Sequence, residues 1–395
     1  MDYFKISSKK LDRYATKYSN NPILAYFKLA VLSCKMLGRE IVDYSYGAIR
    51  TNKRIRIAII LEGGLGDVLF GGIYANAFIK NFRVGSETSV YVAQSVEVIR
   101  TVFNKISNIQ FEQLNTFNER NFDLVISLTI MFPRVVKFSS FLKKKSDLFE
   151  YILQLKQFEE KLTRILADDR QLNQLLWMLG SGLNRLTALN IAGNLDIDEN
   201  FTLQVPEAGY SIFERFPHLK NKKFITISRG VDAKNSYKDS IRLWSVKKYE
   251  EFIAEFKFTY PEYNIVYLGS DKASCEKIEG VDINLVGETS ISELMVVLNE
   301  SKIHFDGECG MVHLRHFICR KPSIVLFGPT SPKLKGYSEN INIRNGCSCP
   351  LPMCEHILLD GKWANTCLKN TSARGACIES ISVKQVMDAF NILLK

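Results

Sequence analysis

The stretch Ile55-Arg56-Ile57-Ala58-Ile59-Ile60-Leu61 is β-branched and almost wholly apolar, and it runs straight into the turn Glu62-Gly63-Gly64-Leu65-Gly66-Asp67. A strand apolar on both faces needs cover on both, the condition of a parallel strand between two helical layers. Val68 to Phe82 then reads as a helix, so strand, glycine turn and helix follow in the order of a β-α unit. Glycines in the turn allow positive φ and close approach of a ligand to a helix N-terminus. This unit commits the chain to an α/β architecture and marks the turn as the first place to look for chemistry.

The same pattern recurs. Thr88 to Ala93 and Phe122 to Leu128 read as further strands of a first domain over 55–190. From Ser146 to about Asn190 the chain turns helical, with Leu153, Leu155, Phe158, Leu162, Ile165 and Leu166 at helical spacing. A second alternation starts at Lys223, with strands at Phe224–Ser228, Ile265–Leu268, Ile283–Val286, Ile303–Phe305 and Ser323–Phe327. Helices at Val246–Phe258, Ile291–Leu298 and Met311–Cys319 separate them, giving a second domain over 191–382, and 383–395 is a closing amphipathic helix. At 395 residues the chain exceeds what one core usually serves. The expected fold is two Rossmann-like α/β domains facing across a cleft, with ligands bound outside the carboxyl ends of the strands.

Residues 1–54 are strongly basic and read as a helical extension, with Asn20-Asn21 capping a helix from Pro22. The opening is polar, without a signal peptide, and the run Pro22 to Leu37 is too short and too charged to span a membrane, so the expected location is cytoplasmic. A net charge of +10 suits nucleic acid, an anionic membrane face or a phosphorylated substrate. The basic N-terminus is suited to peripheral contact with the inner membrane, although a helix packed on the body with a solvated basic side is the simpler use. A basic nucleic-acid-binding protein is the main alternative class. No RNA-binding or helix-turn-helix signature supports it, so no nucleic-acid partner is expected.

Asp67 stands at the mouth of the expected cleft, where a carboxylate can take the proton of an attacking hydroxyl. It can equally cap the helix, and the motif alone does not separate the two uses. A dinucleotide site wants G-x-G-x-x-G and an acidic residue about 20 positions on. This chain has Gln94 and Ser95 there, and no Lys-Ser or Lys-Thr completes a P-loop. The second constellation, Asp306-Gly307-Glu308-Cys309-Gly310-Met311-Val312-His313-Leu314, also follows a strand and opens a helix. Backbone N–H groups of Glu308 to Met311 suit an anion, and Asp306, Glu308 and His313 suit sugar hydroxyls. Gly328, Pro329 and Thr330, after the next strand, form another wall. Ser228 and Arg229 end the strand that opens domain two, and Arg242, in Arg242-Leu243-Trp244, is a candidate for phosphate contacts or else a plain salt bridge.

Together these motifs, with Gly-Glu-Thr-Ser-Ile-Ser-Glu-Leu from Gly287 and Leu-Phe-Gly-Pro-Thr from Leu326, resemble the ADP-heptose heptosyltransferases, glycosyltransferase family 9, over roughly 55–395. The resemblance implies a GT-B fold and an inverting sugar transfer without a catalytic metal. It implies an ADP-heptose donor held mainly by the C-terminal domain, and a glycan or protein acceptor of the cell envelope such as lipopolysaccharide, capsule or an autotransporter. Asp67 becomes the general base, Arg242 the phosphate ligand, and Asp306, Gly310 and His313 surround the donor. The family more often has Asp-Thr-Gly where this chain has Asp306-Gly307-Glu308-Cys309-Gly310, and lysine where Arg242 stands, which bears on the identity of the sugar more than on the reaction. An inactive scaffold of this fold is a further alternative, opposed by the presence of both Asp67 and the Asp306 motif.

Cys347, Cys349, Cys354, Cys367 and Cys377 cluster in a segment over 346–378 that contains Pro350, Pro352 and Gly361 and lacks apolar periodicity. Four thiolates of these five would bind zinc or iron and supply the missing cross-links. His356 could replace one thiolate, and unconnected buried thiols are the simpler reading. The stretch Tyr337 to Ile343 followed by spaced cysteines is similar to the subgroup of the family that glycosylates autotransporters. That likeness implies a structural metal site and is compatible with a homo-oligomer.

Overall fold

The computed structural model describes residues 54–82, 86–106, 109–129, 132–144, 146–163, 177–193, 195–221, 223–229, 242–270, 275–345 and 375–395. The expected N-terminal helices and Cys347, Cys349, Cys354 and Cys367 lie outside them.

The first sheet contains β1 (Ile55–Glu62), β2 (Ser86–Val92), β3 (Gln110–Gln113), β4 (Leu124–Thr129) and β5 (Pro133–Phe138) in the order β3-β2-β1-β4-β5. β1 is central, with Ile59 opposite Val90 on one side and Ile126 on the other, both pairings parallel. Its apolar run is thus explained by neighbours on both edges, by the helix Leu65–Asn81 on one face, and by Leu114, Phe117 and Phe122 packed around Ala58 and Ile60 on the other. The sheet is not wholly parallel: β5 runs antiparallel to β4. The connection between them is too short for the crossover that a parallel pair requires, and Pro133, lacking an N–H, is the first residue of this edge strand, a position that proline tolerates. Helix α1 (Leu65–Asn81) follows β1, then α2 (Val96–Val102), α3 (Ser146–Thr163) and α4 (Arg185–Gly193). Tyr74 on α1 and Tyr151 on α3 share a buried hydroxyl–hydroxyl hydrogen bond. Burial raises both phenol pKa values, so both stay protonated.

The second sheet has six parallel strands, β6 (Lys223–Ser228), β7 (Tyr263–Leu268), β8 (Ile283–Asn284), β9 (His304–Gly307), β10 (Ser323–Leu326) and β11 (Ile341–Ile343), in the order β11-β10-β9-β6-β7-β8. Its helices are α5 (Val246–Thr259), α6 (Ile291–Glu300), α7 (Gly310–Cys319) and α8 (Val383–Leu394). Part of the Gly287 motif is a capping box, in which Ser290 and Glu293 satisfy each other's backbone at the start of α6. The closing helix α8 starts with another, Ser382 with Gln385, and lays Phe390 on Phe252 of α5 with ring centroids 5.1 Å apart.

Helix α1 is buried almost throughout because it is covered twice, by its own sheet and by α7 of the second. Phe70 meets Phe317 edge-on at 5.5 Å, and the backbone N–H of Leu203, between the two units, donates to Phe317 O. One continuous apolar core therefore joins the two sheets. No helix among the described residues is long and apolar enough to cross a membrane.

Candidate active site at the two strand crossovers

In each sheet the chain reverses direction at one place. The first sheet grows outward from β1 on one side and from β4 on the other; the second grows from β6 and from β9. Open α/β sheets bind ligands at the carboxyl ends of the strands flanking such a reversal, where the loops part in opposite directions. Glu62 to Asp67 leave the end of β1, Ser228 and Arg229 end β6, and Gly307 to Gly310 leave the end of β9.

The two helix starts touch. A Cβ built on Gly66 would lie 2.7 Å from His313 Cδ2, and one built on Gly310 would lie 3.2 Å from Gly66 N. Two glycines let the N-termini of α1 and α7 abut, so two partial positive charges of about half an elementary charge each lie side by side. Gly63 has φ +110°, and a Cβ there would fall 2.5 Å from Asp67 Oδ2. The turn therefore requires glycine at that position for conformation and for space. Gln94, at the end of β2, donates to Gly63 O across 2.7 Å.

Asp67 is both a cap and a partly exposed charged group. Its Oδ2 accepts from Gly64 N at 3.0 Å, while Oδ1 receives Arg185 Nη1 at 2.7 Å and the side chain stays 28% exposed. Arg185 opens α4, is buried, and lies over the Phe70 ring at 4.4 Å. It belongs to the helical stretch that the sequence shows only as a connection, and no local motif marks it.

At the end of β9 the acids face inward. Asp306 Oδ1 accepts from Gly307 N at 2.7 Å, and Oδ2 accepts from the Cys309 thiol at 2.8 Å and faces His304 Nε2 at 3.4 Å. Burial, followed by the Asp306 charge, pushes the Cys309 thiol well above its usual pKa and keeps it protonated. Glu308 is nearly enclosed: Oε2 lies 2.7 Å from Arg242 Nη2 and 3.3 Å from Lys335 Nζ, and Oε1 lies 3.4 Å from His313 Nε2. Burial pushes its carboxyl up, but Lys335, Arg242 and His313 together outweigh burial and hold it well below the usual range. Burial likewise lowers the pKa of His313, against the pull of Glu308, so the imidazole is neutral at neutral pH. Its Nδ1 shares a 2.7 Å hydrogen bond with Tyr337 Oη. Two cations against one carboxylate leave this cluster net positive.

Of the other expected residues, Arg229 is buried, donates from Nε to Trp244 O at 2.8 Å and pairs with Glu276, while Tyr249 donates to Ser228 O. Arg242, Leu243 and Trp244 serve in turn the Glu308 cluster, the core and a hydrogen bond to Ile381 O. Gly328, Pro329 and Thr330 are buried. Ser331 beyond them caps the turn Pro332–Lys335 that delivers Lys335 to Glu308. Gly310 and Met311 are half-buried at the start of α7. Lys335 and Tyr337 join the site from just past motifs that were visible in the sequence.

Of the five clustered cysteines only Cys377 is described, buried in the turn Ala376–Glu379. Among the described residues no group of three or more His, Cys, Asp or Glu is placed to hold a metal ion.

No protein-family model matches the chain, and no curated protein does. Among solved structures, the iron-containing dodecameric glycosyltransferase TibC from enterotoxigenic E. coli aligns over 87% of this chain and 77% of its own, at 15% identity and a TM-score of 0.58. TibC in complex with ADP-D-β-D-heptose aligns over 87% and 76%, at 13% identity and 0.56. The E. coli ADP-heptose lipopolysaccharide heptosyltransferase II aligns over 86% and 98%, at 15% identity and 0.47. The two TibC comparisons establish a shared fold, and the chain has the two-sheet, GT-B-like α/β architecture expected from its sequence.

Proposed function

We propose that this chain is an inverting glycosyltransferase that moves a heptose or related sugar from an ADP-activated donor to a hydroxyl of a cell-envelope glycan or protein, acting on the cytoplasmic side. The observation that carries the reading is the abutment of the α1 and α7 N-termini at Gly66 and Gly310, which sets the partly exposed Asp67 carboxylate beside the Glu308 cluster with its two cations, Arg242 and Lys335. The TibC fold, seen with an ADP-sugar in that protein, supports it.

In this reading the acceptor oxygen attacks C1 of the donor sugar opposite the diphosphate. The O–C1 bond forms as the bond from C1 to phosphate oxygen breaks, the acceptor proton passes to Asp67, and ADP leaves with the bonding electrons. The start of α7 with Arg242 and Lys335 faces the charge that develops on the diphosphate, where preorganised positive groups act most strongly. Asp67→Asn should lower kcat by roughly 10²–10⁴-fold while ADP-sugar binding, read by thermal shift against UDP- and GDP-sugars, is kept. Full turnover in that variant, or no stabilisation by any ADP-sugar, would overturn the reading.

We further propose that four of Cys347, Cys349, Cys354, Cys367 and Cys377 hold a structural zinc or iron. Asn345 donates to Ser380 O at 2.8 Å and bonds Gln385, so the two ends of the cysteine-bearing segment are pinned together. That brings the entry, beside Cys347, to the exit at Cys377, as a closed metal loop requires. Elemental analysis finding no metal would remove it.

A further inference from the structure

We propose that Arg185 is a positioning residue for the Asp67 carboxylate, a role that rests on the transferase reading above. The carboxylate is held at two points. Gly64 N fixes Oδ2 from within the turn, and Arg185 Nη1 fixes Oδ1 from α4 at 2.7 Å. One donor alone leaves a carboxylate free to rotate about the Cβ–Cγ bond; two donors on different oxygens define the plane of the group and so the direction of its remaining lone pairs.

The arginine is itself held. Its side chain is 6% exposed, against 28% for Asp67, and its guanidinium lies over Phe70, one helical turn past Asp67 on α1. A planar cation stacked on an aromatic ring has few other rotamers available. Arg185 also acts electrostatically on His313 and Tyr337 of the second unit. It therefore lies within electrostatic reach of the second unit while its contacts, to Asp67 and Phe70, are with α1. Burial of the arginine leaves the open face of the carboxylate, rather than the guanidinium, to meet an acceptor hydroxyl.

The geometry separates this role from simple anchoring of α4. A group that acts through Asp67 should alter turnover and leave donor affinity alone, and its loss should cost nothing further once Asp67 cannot accept a proton. Misplacing a reacting group by about 1 Å costs on the order of 10²-fold. Arg185→Met is thus expected to lower kcat about 10²-fold with donor KM changed less than about twofold. Arg185→Lys, which keeps a cation but not the planar fork, should recover about tenfold of the loss. The decisive variant is Arg185→Met combined with Asp67→Asn, which should turn over no more slowly than Asp67→Asn alone, since residues acting as a unit are non-additive. A kcat in Arg185→Met within about threefold of the wild type, or a double variant that falls by the product of the single losses, would overturn the proposal while leaving Asp67 as base. Full turnover in Asp67→Asn would instead remove the transferase reading, and Arg185's role with it.

Discussion

Replacing Glu308 with Gln removes one negative charge from an enclosed cluster and changes almost nothing else in shape. The side chain is 6% exposed, and its partners Arg242 and Lys335 are 15% and 12% exposed. Removing one partner of a buried ion pair costs roughly 3–5 kcal/mol, because the remaining charge is left uncompensated. The low end applies here. The Gln amide oxygen still accepts from Arg242, the main-chain Glu308 O keeps its own 2.7 Å bond from that arginine, and Lys335 has some solvent access. A loss of about 3 kcal/mol in a unit of roughly 200 residues corresponds to about 6–12 °C in Tm. The pH dependence adds a second constraint. Folding lowers this carboxyl below its ordinary 4.5, so its stabilisation is fully present above 4.5 and is lost as pH falls through the lower folded value. Thermal or urea unfolding of both proteins should therefore show a constant gap from about pH 8 down to about pH 5, closing at more acid pH. A gap under about 1 kcal/mol at neutral pH, or one that closes between about pH 7 and 5, would refute the account of this cluster.

Gly66→Ala offers a test by sign. Helix propensity alone favours Ala by up to about 1 kcal/mol, but the new methyl would meet His313 Cδ2 at 2.7 Å, so chemical denaturation should show a loss of roughly 1–3 kcal/mol. At the Tyr74–Tyr151 pair, Tyr74→Phe strands a buried hydroxyl and should cost about 1–3 kcal/mol. The combined Tyr74→Phe, Tyr151→Phe protein should be more stable than Tyr74→Phe, and an additive loss in urea unfolding would contradict the shared bond.

What could be read from the sequence divides along physical lines. β1, β6 and β7 announce themselves because a strand covered on both faces must be apolar along its length. β3, with the sequence Gln110-Phe111-Glu112-Gln113, lies on an edge and shows no such run, and β5, on the other edge, begins at a proline, which argues against a central strand. The glycine turns were legible for the same kind of reason, since contact between two helix starts leaves no room for a Cβ at Gly66 and little at Gly310. Their partners were not. Arg185 reaches Asp67 from a distant helix, and Lys335 reaches Glu308 from a turn after the next strand. Charge pairs of this kind have no period and no fixed spacing, because the attraction depends only on where the fold brings the two groups. The sequence motifs mark where backbone approaches backbone at the crossovers. The long side chains that set the charge and orientation of those motifs come from elements whose only requirement is to end nearby. An arginine that opens an otherwise featureless helix, stacked on a ring one turn beyond a turn carboxylate, is therefore the kind of residue that a motif comparison passes over and that a double substitution with Asp67 would expose.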